Sequence, residues 1–217
     1  NNRDCPGNKV CDNNNNCISV YCGDKLSEWF DRNWVQNKSF TITKQSTYNT
    51  NTHITLTKPL IINGTLCIDK RFTIANGGSI RIWNGGELNI NKGGSLEILN
   101  GGTIVNDGTI TNNDGGTIDN KGVDIYNYGT ITNSGTILNR MGGNITNDGD
   151  INNTGDIIND GDIINDADGN ITNNAGGIIT NDGDIYNTGD IINDGIICGN
   201  DIKIKKNIGK KVGDGCQ

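Results

Sequence analysis

The sequence is poor in nearly everything that builds a compact core or a conventional active site. Its 217 residues include 2 prolines, 1 histidine, 1 methionine and 11 aromatic residues. Hydrophobic residues make up 32% of the chain, against about 45–50% for an average apolar class that also counts glycine. The 32 glycines close that gap, so the shortfall is in side-chain bulk, and a compact core of large side chains is excluded. No run of about 18 apolar residues occurs, which excludes a membrane-spanning helix. Asn1 opens the sequence with neither Met nor an apolar leader, so a secretory leader, if the protein carries one, lies outside it. His53, the single histidine, sits among Thr and Asn and cannot form a metal-binding pair. No Ser/His/Asp set, P-loop or Rossmann fingerprint is present. No catalytic, cofactor or metal site is expected.

Positive charge is missing from the middle of the chain. Residues 102–200 hold 2 Lys/Arg against 15 Asp/Glu, whereas residues 1–101 hold 11 against 8 and residues 201–217 hold 5 against 2. An acidic block of this length repels a phosphate backbone, so nucleic acid is not a partner. Its mildly basic ends suit head-to-tail contact between copies, or form a solvated gradient.

Seven cysteines stand at 5, 11, 17, 22, 67, 198 and 216. Cys5, Cys11, Cys17 and Cys22 lack the tight C-x2-C pair of a zinc site and suit a disulfide knot in an oxidising compartment. The odd count leaves a thiol free or bonded to another chain. Sequons at Asn37, Asn63, Asn144, Asn152 and Asn170 permit glycans in a suitable host, although 38 asparagines make chance matches common.

What the chain has in abundance is a repeat. From Gly77 it reads GGSIRIWN, GGELNINK and GGSLEILN, contracts through heptads such as GGTIVND, and settles to hexads such as GTITNS and GDIIND. The unit is G-x-I-x-N-x, marked at steps of 6 to 8 by Ile110, Ile118, Ile125, Ile131, Ile137 and onward to Ile197. Each unit holds too few residues between Asn/Asp-Gly punctuations for a helix, and hairpins that short would make a feeble meander. The expected fold is therefore all-β: a parallel β-solenoid, or β-helix, with three sides per coil and about 18–24 residues per coil. Ile stacks on Ile inside it, and stacked Asn can form hydrogen-bond ladders. In the octads two positions per side face inward (Ile80 and Ile82, Leu88 and Ile90, Leu96 and Ile98). In the hexads one of these is expected to pass to Gly, thinning the rod. Its hand is left open, since hexads suit left-handed coils and octads right-handed ones.

Three segments follow: a Cys-rich cap over residues 1–38, the solenoid over 39–207 and a tail over 208–217. Leu26, Trp29, Phe30 and Trp34 fall on one face of a short helix starting at Asp24, suited to covering the open end of a solenoid. Trp29 and Trp34 are alternatively a partner-binding pair. Ile202 to Ile208, studded with lysine, reads as the last edge strand.

The repeats G-T-I-T-N, G-D-I-I-N-D and G-G-x-L-x-I-x-N, over roughly residues 60–200, resemble those of parallel β-solenoid surface and fibre proteins. These include adhesin passenger regions, cell-surface fibres and proteins of AT-rich giant viruses. The resemblance implies an extracellular, secreted or surface location on a cell or virion.

The leading expectation is a non-enzymatic structural protein whose subunits join head-to-tail into a filament or surface layer. Alternation places Cys67 and Cys198 outward and about 30 Å apart along the axis, too far to pair within one rod. Either, or Cys216, is thus a candidate for an intersubunit disulfide. The alternatives are an adhesin or receptor-binding stalk with cell-surface or glycan ligands, and a carbohydrate-active β-helix enzyme. Lys121, Arg140, Tyr126, Tyr128 and Tyr186 are the few groups in the acidic block suited to the last. Asp166–Asn170, and a stack of the aspartates 150, 156, 162, 184 and 190, form at most a weak divalent-ion surface. Thr109, Thr111, Thr130 and Thr132 form a Thr-x-Thr pattern of the ice-binding kind, too short to be a regular ladder.

Overall fold

A computed structural model describes residues 40–42, 47–50, 52–199, 202–204 and 207–209, with backbone alone for 40, 47, 48 and the residues beyond 199. The proposed helical cap, Cys5, Cys11, Cys17, Cys22, Asn37 and Cys216 lie outside the described residues. Among the described residues there are 26 strands, each of three or four residues, and no helix.

Every third strand joins the same sheet, giving three sheets of nine, nine and eight strands. All pairings are parallel, and equivalent residues meet in register: Ile104 faces Ile80, Ile125 faces Ile104, and Ile145 faces Ile125. This is the expected parallel β-solenoid. Successive coils in the first sheet take 24, 21, 20, 18 and 22 residues between Ile80 and Ile185. Nine stacked strands at roughly 4.8 Å span about 40 Å.

A four-residue strand such as Asp150–Asn153 points its second and fourth side chains inward. The second is Ile or Leu in almost every coil, and these residues form one continuous buried column system from Ile42 to Ile197. The fourth corrects the sequence reading. It does not become Gly in the hexads but Asn, stacked on the octad isoleucines: Asn106 on Ile82, Asn112 on Ile90, Asn120 on Ile98. From that coil onward, the interior carries three buried asparagine columns. In the first, the Asn106 Nδ2 donates to Asn127 Oδ1 at 2.7 Å, Asn127 to Asn147 at 2.7 Å, Asn147 to Asn165 at 2.7 Å and Asn165 to Asn187 at 2.6 Å. Each rung also donates to backbone carbonyls, as Asn147 does to Gly149 O and Asn170 O. An inward amide is tolerated because its neighbours above and below satisfy it. Where the ladders begin on isoleucine, Asn112 Oδ1 and Asn120 Oδ1 find no donor, at about 1–3 kcal/mol each.

The glycine ahead of each strand serves the corner. A Cβ on Gly149 would lie 2.1 Å from the Gly129 carbonyl oxygen, and one on Gly129 would lie 2.1 Å from that of Gly108. The repeat's glycine is thus a close-approach column, and the extra glycine of the octads, such as Gly85 with φ +83°, is the left-handed turn residue that the hexads delete.

Two further expectations change. Cys67 and Cys198 do occupy outer strand positions in Thr65–Ile68 and Ile196–Gly199, yet both are buried. The segment read as one last strand forms two, Ile202–Ile204 on the first sheet and Asn207–Gly209 on the second.

The register itself is testable. Ile151→Val is expected to lower stability by about 1 kcal/mol, because Ile151 is buried in the column. Asp156→Asn, on an exposed outer position, is expected to stay within about 0.5 kcal/mol. Equal shifts in thermal unfolding would show this assignment of inward and outward positions to be wrong.

Candidate functional site

Among the described residues the interior is filled mainly by Ile, Leu and Asn, so the side chains open to a partner stand at the first and third residues of each strand and at the corners between strands. The aspartates of the acidic block do not stack on one face. Among the strand aspartates from 124 onward, Asp150 and Asp190 lie on the second sheet with Asn170 between them, Asp156 on the third, and Asp162 next to Asp184 on the first. At the corners Asp166 follows Asp148, and Asp182 follows Asp160, on successive coils. Asparagine separates Asp150 from Asp190 and Asp124 from Asp162: Asn170 Nδ2 donates to Asp150 at 3.1 Å, and Asn144 Nδ2 to Asp124 at 2.8 Å. Spacing carboxylates with amides relieves the repulsion of like charges set opposite one another. Among the described residues, no group of three His, Cys, Asp or Glu is placed to hold a metal ion. The Thr-x-Thr pattern occupies two rungs of the second sheet before Asp150 and Asn152 replace it.

The third sheet does bring carboxylates together. Glu97 and Asp119 are cross-strand neighbours. Arg140 Nε donates to Asp119 at 2.6 Å, Lys121 lies 3.3 Å from Asp119 and 3.6 Å from Glu97, and Arg71 lies 4.0 Å from Glu97. The hydrogen bond to Asp119, and then its charge, raise the Arg140 pKa. Two adjacent carboxylates are thus flanked by three cations, an ion-pair network that offsets the repulsion of two like charges set opposite one another.

The first sheet carries the surface aromatics. Its third-position column runs Tyr126, Thr146, Ile164, Tyr186, beside a first-position column of Asp124, Asn144, Asp162 and Asp184. Tyr126 donates its hydroxyl to Asp124 at 3.0 Å and Tyr186 to Asp184 at 2.7 Å. Each phenol pKa is raised, first by that hydrogen bond and then by the aspartate charge. At the corner that follows this sheet stand Trp83 and Tyr128, 51% and 52% exposed. The Arg81 guanidinium lies over the Trp83 ring at 5.7 Å and is itself paired with Asp107 at 2.9 Å. Sequence reading noted the three tyrosines but not that they share a face with Trp83. The signal was present: Asp124-Ile-Tyr126 and Asp184-Ile-Tyr186 are 60 residues apart, three coils of the same sheet. The sequons Asn144, Asn152 and Asn170 sit at outer strand positions, half-buried, and Asn63 in a turn.

Comparison with known proteins supplies an independent line. Among curated proteins, nothing matches the chain. A solved structure, the TibC-catalysed hyper-glycosylated TibA fragment, is 17% identical over 82% of this chain and 96% of its own, with a TM-score of 0.22; a superposition that loose carries no argument. The haemagglutinin repeat model matches residues 35–155, 124–189 and 156–201, overlapping segments that take in the described β-solenoid from its first strand to Ile196–Gly199, all but its last two strands. The chain belongs to the haemagglutinin repeat family.

Proposed function

We propose that this chain is the rigid rod of an adhesin-like protein, secreted or displayed at a surface, and that it works by binding rather than by catalysis. The observation that carries the reading is the haemagglutinin repeat match along the rod. Two features support it. The solenoid offers long, regular outer faces, and the adjacent carboxylates Glu97 and Asp119 are tied up in ion pairs with the cations that flank them. Beads coated with the purified chain are expected to retain animal or protist cells well above beads coated with albumin. Retention no better than albumin, with the rod shown folded by circular dichroism, would overturn the reading.

Head-to-tail assembly is the second reading. It draws on the charge pattern, with basic ends flanking an acidic middle. A covalent junction through Cys67 or Cys198 is not part of it, since both are buried. Filaments in electron micrographs that disperse with added salt would support this version, and dispersed single rods at low salt would retire it.

A further inference from the structure

We propose that the outer face of the first sheet binds a neutral, extended glycan chain laid along the rod axis, over Tyr126, Ile164 and Tyr186. The inference rests on the adhesin-like reading and names the ligand class and the face that serve it.

The argument begins with distribution. The four aromatic residues that reach the surface among the residues with described side chains, Trp83, Tyr126, Tyr128 and Tyr186, all belong to this face or its corner. The other faces expose Thr, Asn and Asp, or Leu, Ile, Asp and ion pairs, and no aromatic residue among those with described side chains. Random placement of so few aromatics would not favour one side of three.

The second strand of the argument is chemical. A pyranose has an apolar face of C–H groups and a rim of hydroxyls. The first sheet offers a matching pair of parallel tracks one residue pair apart. Tyr126, Ile164 and Tyr186 supply the apolar track, and Asp124, Asn144, Asp162 and Asp184 supply acceptors for hydroxyl protons. Spacing agrees as well. A sugar in an extended β-linked chain advances by about 5 Å, close to the roughly 4.8 Å rise of one coil, so ring and rung stay in step. Tyr126 and Tyr186 are three rungs apart, about 14 Å, a span that calls for several sugars.

The face is also held ready. Asp124 and Asp184 fix the two tyrosine hydroxyls, and Arg81, anchored on Asp107, lies over the Trp83 indole. Side chains already held lose little freedom on binding, and the sheet beneath them is rigid. Neutrality of the ligand follows from charge: residues 102–200 carry 15 acidic groups against 2 basic ones, which repels sulfated or uronic chains.

Isothermal titration calorimetry on the full chain tests this, with cellohexaose and chitohexaose as neutral probes and a heparin hexasaccharide as the anionic one. Saturable binding of a neutral hexasaccharide is expected. It should weaken at least tenfold in Tyr126→Ala/Tyr186→Ala and stay unchanged in Thr132→Ala on the second sheet. Tyr126→Phe/Tyr186→Phe, which keeps the rings, gives a control should the alanine variant unfold; a loss of only a few-fold is expected there. Absence of binding by both neutral probes, equal binding by the alanine variant, or tighter binding of heparin would overturn the proposal. If coated beads retain cells while no neutral glycan binds, this inference fails and the adhesin-like reading stands. If glycans bind through Tyr126 and Tyr186 while beads retain nothing, the site stands and the cell-binding reading fails.

Discussion

Gly149→Ala is expected to lower the unfolding free energy by more than about 3 kcal/mol, at the top of the overpacking range. The added methyl would lie 2.1 Å from the Gly129 carbonyl oxygen, a backbone atom that cannot rotate away. That same oxygen accepts from the Asp150 N–H at 2.9 Å, so pushing it aside breaks a bond between coils. The comparison is Gly85→Ala. Gly85 has nothing within 4 Å of an added Cβ but a φ of +83°, which makes the expected penalty about 1–2 kcal/mol from backbone strain alone. Urea unfolding of the two variants separates close approach from turn strain. If Gly149→Ala proves no worse than Gly85→Ala, coil stacking is looser at the corners than the geometry requires.

The second large effect is expected from Asn147→Asp. Asn147 shares its two amide hydrogens among Asn165 Oδ1, Gly149 O and Asn170 O, and accepts from Asn127 Nδ2. A carboxylate there would aim an acceptor at three acceptors, inside the rod and with a single donor left. Destabilisation of about 3–5 kcal/mol at neutral pH is expected, as for a buried charge without a partner. The pH dependence carries a definite sign. Burial raises the folded-state pKa of the new acid above its unfolded value of about 3.9. Below that unfolded value the acid is protonated in both states, can donate to Asn165, and the defect is smallest. As pH rises through the unfolded value toward the folded one, stability is progressively lost. Thermal melts of the variant and of the natural chain, compared from acid to neutral pH, report this directly. A gap that does not widen with pH would mean that the side chain has left the ladder for solvent.

Both predictions come from features that the repeat displayed only in part. G-x-I-x-N-x was sufficient for the architecture: units too short for helices, punctuated by glycine, have few ways to satisfy their backbone groups other than stacking as coils. It also specified the inward isoleucine, because alternation along a strand is local geometry. It misassigned the second inward position to glycine, because a hydrophobic pattern gives no reason to bury asparagine. An amide such as Asn147 becomes acceptable inside only when another amide stands one coil above and another one coil below, and those partners are about 20 residues away in sequence.

The surface divides in the same way. Composition determined that the rod is acidic. Coil length decided which aspartates are neighbours. Because each repeat is one side of a three-sided coil, Asp150, Asp156 and Asp162 end on three different faces, and coils of 18 to 24 residues then set which residue stacks on which. The same winding gathered Tyr126 and Tyr186 onto one face and set Glu97 against Asp119. The sequence by itself determined the strand, its inward isoleucine and the sign of the surface, since these depend on residues next to one another. Only the tertiary structure decided the asparagine ladders, the ion-pair network and the aromatic face, since each is made by residues that meet after a full turn of the coil.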